Sequence, residues 1–264
     1  MGTFSGHAIP GSFFIVFAIW WTVCQFDRYY TCLKRNAQFT STLTFPLSCG
    51  KFKIQLFEPI MKITLATIGI CGEIFTGFDE DNEHFIFPGN AQHSTMFCVF
   101  GIGAVLDILL HYKCLIPKDI DYTVFILSVG VEGLLFNFHL HGRNALDTRL
   151  HTLLIYAIVF TVIAVILEMK YRHNVLAALT KSYFFFVQGM WFWQIGFILY
   201  SPNSDAPPLN PEDDFQLMMI PLYFTWHCVI VLFIMLGIGF FVACYHRHLY
   251  HKNEEDKSSS QSLL

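Results

Sequence analysis

The sequence predicts an all-α protein: a seven-helix transmembrane bundle with its N-terminus lumenal or extracellular and its C-terminus cytosolic. Three observations predict it. Of the 264 residues, 54% are hydrophobic and 14% are charged, against roughly 25% charged in an average soluble domain. Apolar runs of about the 20 residues needed to cross a hydrocarbon core fall at 8–26, 54–76, 93–112, 122–141, 150–169, 177–200 and 216–245. They fill most of the chain and leave no room for a separate soluble domain. Thirteen of the sixteen Lys and Arg residues lie in the first, third and fifth connections and the tail when Lys181, at the edge of segment 177–200, is counted with the fifth. The second, fourth and sixth connections collect acidic residues such as Asp79, Glu80, Glu83 and Asp205. Basic residues are retained on the cytosolic side, which sets the orientation.

Taken in order, segment 8–26 has Pro10 near a helix start, where a missing N–H is tolerated. Its Trp20 and Trp21 lie deeper than an interfacial belt and are expected to pack inside the bundle. The longest connection, 27–53, has a Ser/Thr-rich middle at 40–44 that reads as flexible surface. In segment 54–76, Lys62 is placed to snorkel to the cytosolic surface. Gly69, Gly72 and Gly77 surround Glu73 there, and small residues let helices approach closely. Glu73 is either a site carboxylate or an interfacial one. Segment 93–112 carries His93, Asp107 and His111 on one helical stripe. His93 and His111 are ~27 Å apart at 1.5 Å per residue and cannot share a site. Asp107 and His111 read as an i,i+4 pair near the inner surface.

The chain is organised around residues 132–151, which place Glu132, Asn137, His139, His141, Arg143, Asp147 and His151 between two apolar segments. Ionisable groups inside a membrane are costly, so they are expected to face protein or water and to mark a functional site. Glu132 and His139 are seven residues apart and nearly eclipsed on one helix face, ~10 Å apart in depth. Gly142 is placed to end that helix. Arg143, Asp147 and His151 follow at i, i+4 and i+8 as a second aligned stripe. In segment 177–200, Gln188 and Gln194 flank Trp191 and are expected to hydrogen-bond between helices. Segment 216–245 carries Trp226-His227. The tail 246–264 is polar and Ser-rich, hence expected to be disordered, and it ends in Leu263-Leu264, a candidate sorting signal.

By depth, His7, Glu73, His93, His139, His141, Asp147, His151 and His227 gather in the outer third. Imidazoles with a carboxylate are ligand types that zinc takes. With Glu132 or Glu73 as general base, the set reads as a zinc-dependent intramembrane lipid hydrolase. The hydrolase is the second reading, since the last segment lacks a His-x-x-x-His pair. The first is a pocket for a metal ion or a small polar or lipid ligand, or a polar core that organises the bundle, in a trafficking or membrane-organising role. A proton-coupled transporter would use Glu132 and Asp107 as relays, but no inverted repeat is visible. The net charge of -4, with basic residues scattered among loops, argues against nucleic acid and leaves membrane lipids as the expected surroundings. No cysteine lies in an outer loop where a disulfide would form readily.

Several segments resemble the transmembrane protein 45 family. They are Phe4-Ser-Gly-His-Ala-Ile-Pro-Gly11, Gly72-Glu73, Val131-Glu-Gly through His139-Leu-His-Gly-Arg-Asn-Ala-Leu-Asp147 to His151, the run from Gln188 to Tyr200, and Trp226-His227. The chain departs from that family where two adjacent histidines usually open the third segment: it has Gln92-His93. The resemblance implies a multi-pass protein of Golgi and endosomal membranes with no established chemistry.

Overall fold

The computed structural model describes residues 2–49, 52–79, 81, 84–203 and 210–261. Among them, seven helices follow in order: α1 (Phe4–Lys34), α2 (Phe57–Thr76), α3 (Pro88–His111), α4 (Ile120–His139), α5 (Ala145–Lys170), α6 (Val175–Leu199) and α7 (Asp214–Gln261). A short antiparallel hairpin, β1 (Leu47–Cys49) with β2 (Phe52–Ile54), separates α1 from α2. Six helices, all but α6, are long and apolar enough to cross a membrane. The exception lies at the centre, packed against α1, α5 and α7. Its buried polar residues Lys181, Ser182 and Gln188 lower its hydropathy without facing lipid.

Among the described residues, side-chain oxygens cap four helix starts by accepting orphan N–H groups: Thr3 from Gly6 (3.0 Å), Asn144 from Asp147 (2.9 Å), Asn174 from Leu176 (2.9 Å) and Asp213 from Phe215 (2.9 Å). Between α1 and α6 the backbones meet at glycines. A Cβ at Gly189 would lie 2.8 Å from the Gly11 carbonyl, and one at Gly11 would lie 2.9 Å from the Gly189 carbonyl. In lipid, where the hydrophobic effect does not drive helices together, such close approach provides the packing contact. From this core α4 leans on α5, α3 on α4 and α2 on α3. Among the described residues, α1 and α2 are not a closely packed pair.

They are joined instead by one carboxylate. Glu58, fully buried in the first turn of α2, accepts from the indole N–H groups of Trp20 and Trp21 (both 2.9 Å) and from the Phe45 N–H (2.8 Å). Lys62 lies 2.8 Å from Glu58 and 3.0 Å from Asp107. Nearby, Glu168 of α5 and Lys181 of α6 form an ion pair at 3.0 Å with both side chains fully buried. Tyr122 donates to Glu168 (3.1 Å), and the Lys181 ammonium lies over the Trp21 ring. The deep placement expected for Trp20 and Trp21 therefore has a specific cause, a shared acceptor.

The structure corrects several expectations. Helix α1 starts at Phe4, so Pro10 lies inside it. The 40–44 stretch is not flexible surface: Phe39, Ser41, Leu43 and Phe45 are buried at the two-residue spacing of extended chain, and Ser41 N–H donates to Arg172 O (2.8 Å). Lys62 does not snorkel, because Glu58 and Asp107 hold it inside. Asp107 pairs with Lys62, leaving His111 exposed on the other side of the turn. Lys181 belongs to the interior of α6 and not to a cytosolic loop. Helix α7 runs on to Gln261, past the expected end at 245 and through most of the tail expected to be disordered; no Gly or Pro follows Gly239 to stop it. Lys51, Glu80, Glu83, Asp205, Pro207-Pro208 and Leu263-Leu264 lie outside the described residues.

Candidate polar site within the bundle

At the end opposite the Glu58 network, four helices and the start of α5 bring six ionisable side chains around one cavity of about 50 Å³. They are His7 of α1, Glu73 of α2, His93 of α3, Glu132 and His139 of α4, and His151 of α5. Phe14, Phe136 and Phe192 complete its walls. Adjacent imidazole centroids are 5.7 Å apart for His7 and His151, 6.3 Å for His151 and His139, and 5.3 Å for His139 and His93. The seven-residue spacing of Glu132 and His139 puts both on this cavity, one two turns deeper than the other.

Each imidazole is oriented by an oxygen at Nδ1. His7 meets the Thr3 carbonyl (3.0 Å), and His151 meets both the Asp147 carbonyl (3.0 Å) and its carboxylate (2.7 Å). His93 meets Glu73 (3.2 Å) and His139 meets the Gln92 side-chain oxygen (2.9 Å). A carbonyl can only accept, so Nδ1 carries the proton in His7 and His151, and Nε2 of the neutral ring is left as an acceptor. Arg143 donates through Nη2 to His139 Nε2, through Nε to the His139 carbonyl (3.0 Å) and through Nη1 to Asp147 (2.6 Å). These bonds hold the turn between α4 and α5 and tie up the guanidinium.

Glu132 differs from all of these. It is 2% exposed, and its Oε2 has no hydrogen-bond partner. Other buried atoms, such as those of the Gln25 amide, also lack a partner, but Glu132 is a carboxyl on a cavity wall with no cation paired to it among the described residues, a position suited to a ligand.

The remaining sequence candidates fall elsewhere. Asn137 and His141 are exposed: helical phase turns Asn137 away from the cavity, and His141 lies in the turn after α4 ends at His139. Glu73 is no snorkelling carboxylate, since His93 engages it. Gln188 donates to Thr161 between α6 and α5, while Gln194 and His227 form a separate pair at 3.1 Å between α6 and α7. Asp107 and His111 lie toward the other end. Among the described residues, no group of three or more His, Cys, Asp or Glu is gathered closely enough to hold a metal ion. The imidazoles ring the cavity without converging on a point. Sequence reading overlooked Gln92, which orients His139, and the whole Glu58 and Glu168–Lys181 network.

The comparisons with known proteins agree with the architecture. The model of a family of unknown function, DUF716, matches residues 118–240, from the start of α4 into α7. The chain is 24% identical to transmembrane epididymal protein 1A of Mus musculus over 265 residues, 94% of this chain and 83% of that protein. It is 24% identical to transmembrane epididymal protein 1 of Rattus norvegicus over 287 residues, 97% of this chain and 90% of that protein. The human protein of the same name is 26% identical over 168 residues, 62% of this chain and 60% of its own. With six helices apolar and long enough to span, these likenesses make the chain a multi-pass integral membrane protein similar to the transmembrane epididymal proteins.

Proposed function

We propose that this protein is a membrane-embedded binding protein whose His/carboxylate chamber takes a small polar ligand rich in hydrogen-bond donors. The observation that carries this reading is the unpartnered carboxyl of Glu132 on the wall of a chamber where His7 and His151 each leave Nε2 as an acceptor. An amine or hydroxyl would satisfy these atoms. An anion would meet Glu132 and Glu73, with Arg143 already committed to Asp147 and His139. Dicyclohexylcarbodiimide labelling of Glu132 in detergent-purified protein tests the reading. Because a free amine also traps the activated carboxyl, labelling is counted as acylurea plus ethanolamide at Glu132. Ethanolamine is expected to slow this total in a concentration-dependent way, and a total that no ethanolamine concentration slows would refute the reading.

A second reading, the zinc-dependent lipid hydrolase, is favoured by the Nδ1 pattern, since metal-ligating histidines commonly give their other ring N–H to a carboxylate or carbonyl. It requires the imidazoles to close in on an ion, which their present spacing does not provide. Metal analysis of mildly purified protein, with His139→Ala and His151→Ala as controls, separates the readings: stoichiometric zinc lost in the variants favours the hydrolase.

The distribution of basic residues supports an N-terminus outside or in the lumen, with the chamber under that surface. The motifs shared with the transmembrane protein 45 family support residence in Golgi and endosomal membranes, in a trafficking or membrane-organising role. A protease-protection assay on tags at both ends, with light microscopy against compartment markers, tests both statements.

A further inference from the structure

The chamber continues inward. It shares Pro10, Phe14, Phe97 and Phe100 with a second cavity of about 100 Å³ that follows α1 toward the opposite end. The middle of this cavity is walled by apolar groups such as Phe13, Phe17, Leu65 and Phe125, and it ends at Trp21, Lys62 and Asp107, where the Glu58 network closes the bundle. From Pro10 to Trp21 is ~17 Å along the helix, close to the ~15 Å depth of one leaflet of a 30 Å hydrocarbon core. The cavity also borders the seam between α1 and α2, the pair that is not closely packed along its length. A closed apolar cavity of this size excludes water and holds at most about a benzene-sized guest, so a longer guest enters only as α1 and α2 part along their loosely packed seam. Through that seam the surroundings offer one in excess, a hydrocarbon chain.

We infer that chamber and cavity are one site for a single-chain amphiphile drawn from the bilayer. Its chain lies along α1 between Phe14 and the pair Phe97 and Phe100, and its amine or hydroxyl head is held by Glu132 with the free nitrogens of His7 and His151. The inference rests on the polar-ligand reading and adds the chain to it. A phosphate-bearing head is disfavoured by the two carboxylates at the chamber wall. Bilayer lipids with two chains do not fit a cavity that offers one path.

Gly103 provides the test. It lines the apolar cavity, and an added Cβ meets nothing nearer than Val124 Cγ1 at 3.9 Å, so a large side chain there fills the chain path without striking backbone. Full-length protein in detergent is irradiated with a long-chain amino alcohol carrying a diazirine midway along its chain. Cross-links are expected on the peptides bearing Phe14, Phe97 or Phe100. Gly103→Phe is expected to cut the yield at least tenfold, while Gly103→Ala labels like the wild type and ethanolamine still protects Glu132 in both. Labelling indifferent to Gly103→Phe, an equal loss in both variants, or cross-links on exposed α7 positions such as Phe233 would overturn the chain path. Failure of ethanolamine to protect Glu132 in the wild type would instead remove the polar-ligand reading, a distinct result.

Discussion

The two ends of this bundle bury ionisable groups in opposite ways. At one end the carboxylates lie against cations: Glu58, which also accepts from two indoles and a backbone amide, shares Lys62 with Asp107, and Glu168 sits against Lys181 and Tyr122. At the other, the imidazoles are fixed from behind while Glu132 keeps an oxygen with no partner. A carboxylate set against a cation holds helices in register and one without a cation is left for a ligand, so ion pairing, more than burial, tells structure from site in this molecule.

The comparison is tested first where the expected loss is greatest. Removing one partner of a buried pair strands the other in a medium that cannot solvate it. Lys181→Ala is therefore expected to destabilise by about 3–5 kcal/mol, read as a lowered melting temperature of the detergent-purified protein. The double variant Glu168→Leu with Lys181→Met should recover most of it, because apolar replacement of both partners removes the stranded charge. Next comes Glu58→Gln. An amide keeps one acceptor but turns a donor toward N–H groups that need acceptors, and about 1–3 kcal/mol should be lost. If either variant melted like the wild type, that end would not be the structural one.

Much of this contrast was legible beforehand, but unevenly. The seven helices followed from apolar length, and His7, Glu73, His93, Glu132, His139 and His151 stood out because polar groups in apolar runs need a reason. Glu58 and Lys181 were hidden because they sit beside connections, where a charge looks solvated. Beside Trp20, Trp21 and Lys62, the inward fold of 39–45, with every second residue buried, brings the Phe45 N–H to Glu58, and no helical period announces that. His141 and Asn137 erred the other way: their residue types suited the site, but helical phase turned Asn137 outward and His141 falls in the turn beyond α4. Gln92, noted as a departure from a double histidine, acquires a role only once α3 meets α4 and its oxygen reaches His139.

At the open end the expected stability effects are smaller. Glu132→Gln removes a carboxyl with an unpaired oxygen and keeps its shape, so the melting temperature should shift by no more than the equivalent of about 1 kcal/mol, while carbodiimide labelling at that position disappears. A loss as large as that of Lys181→Ala would move Glu132 among the structural groups and erase the distinction between the two ends.

The smallest effect should come from His227, which shares a residue type and a depth with the chamber histidines without sharing the chamber. Its ring bonds Gln194 and packs edge-on against Trp191 at 5.6 Å, on the side of α6 that faces α7. Hydrogen bonds between helices in a membrane average about 0.6 kcal/mol, because the separated helices find other partners. His227→Leu, which keeps most of the volume, should therefore cost about that much, near the limit of a melting measurement. The sharper readout is protection of Glu132 by ethanolamine, which should be the same in variant and wild type. If protection weakened, α7 would be coupled to the chamber through Trp191 and the Leu150 carbonyl that its indole N–H reaches, one residue from His151, and the open end would extend across α6.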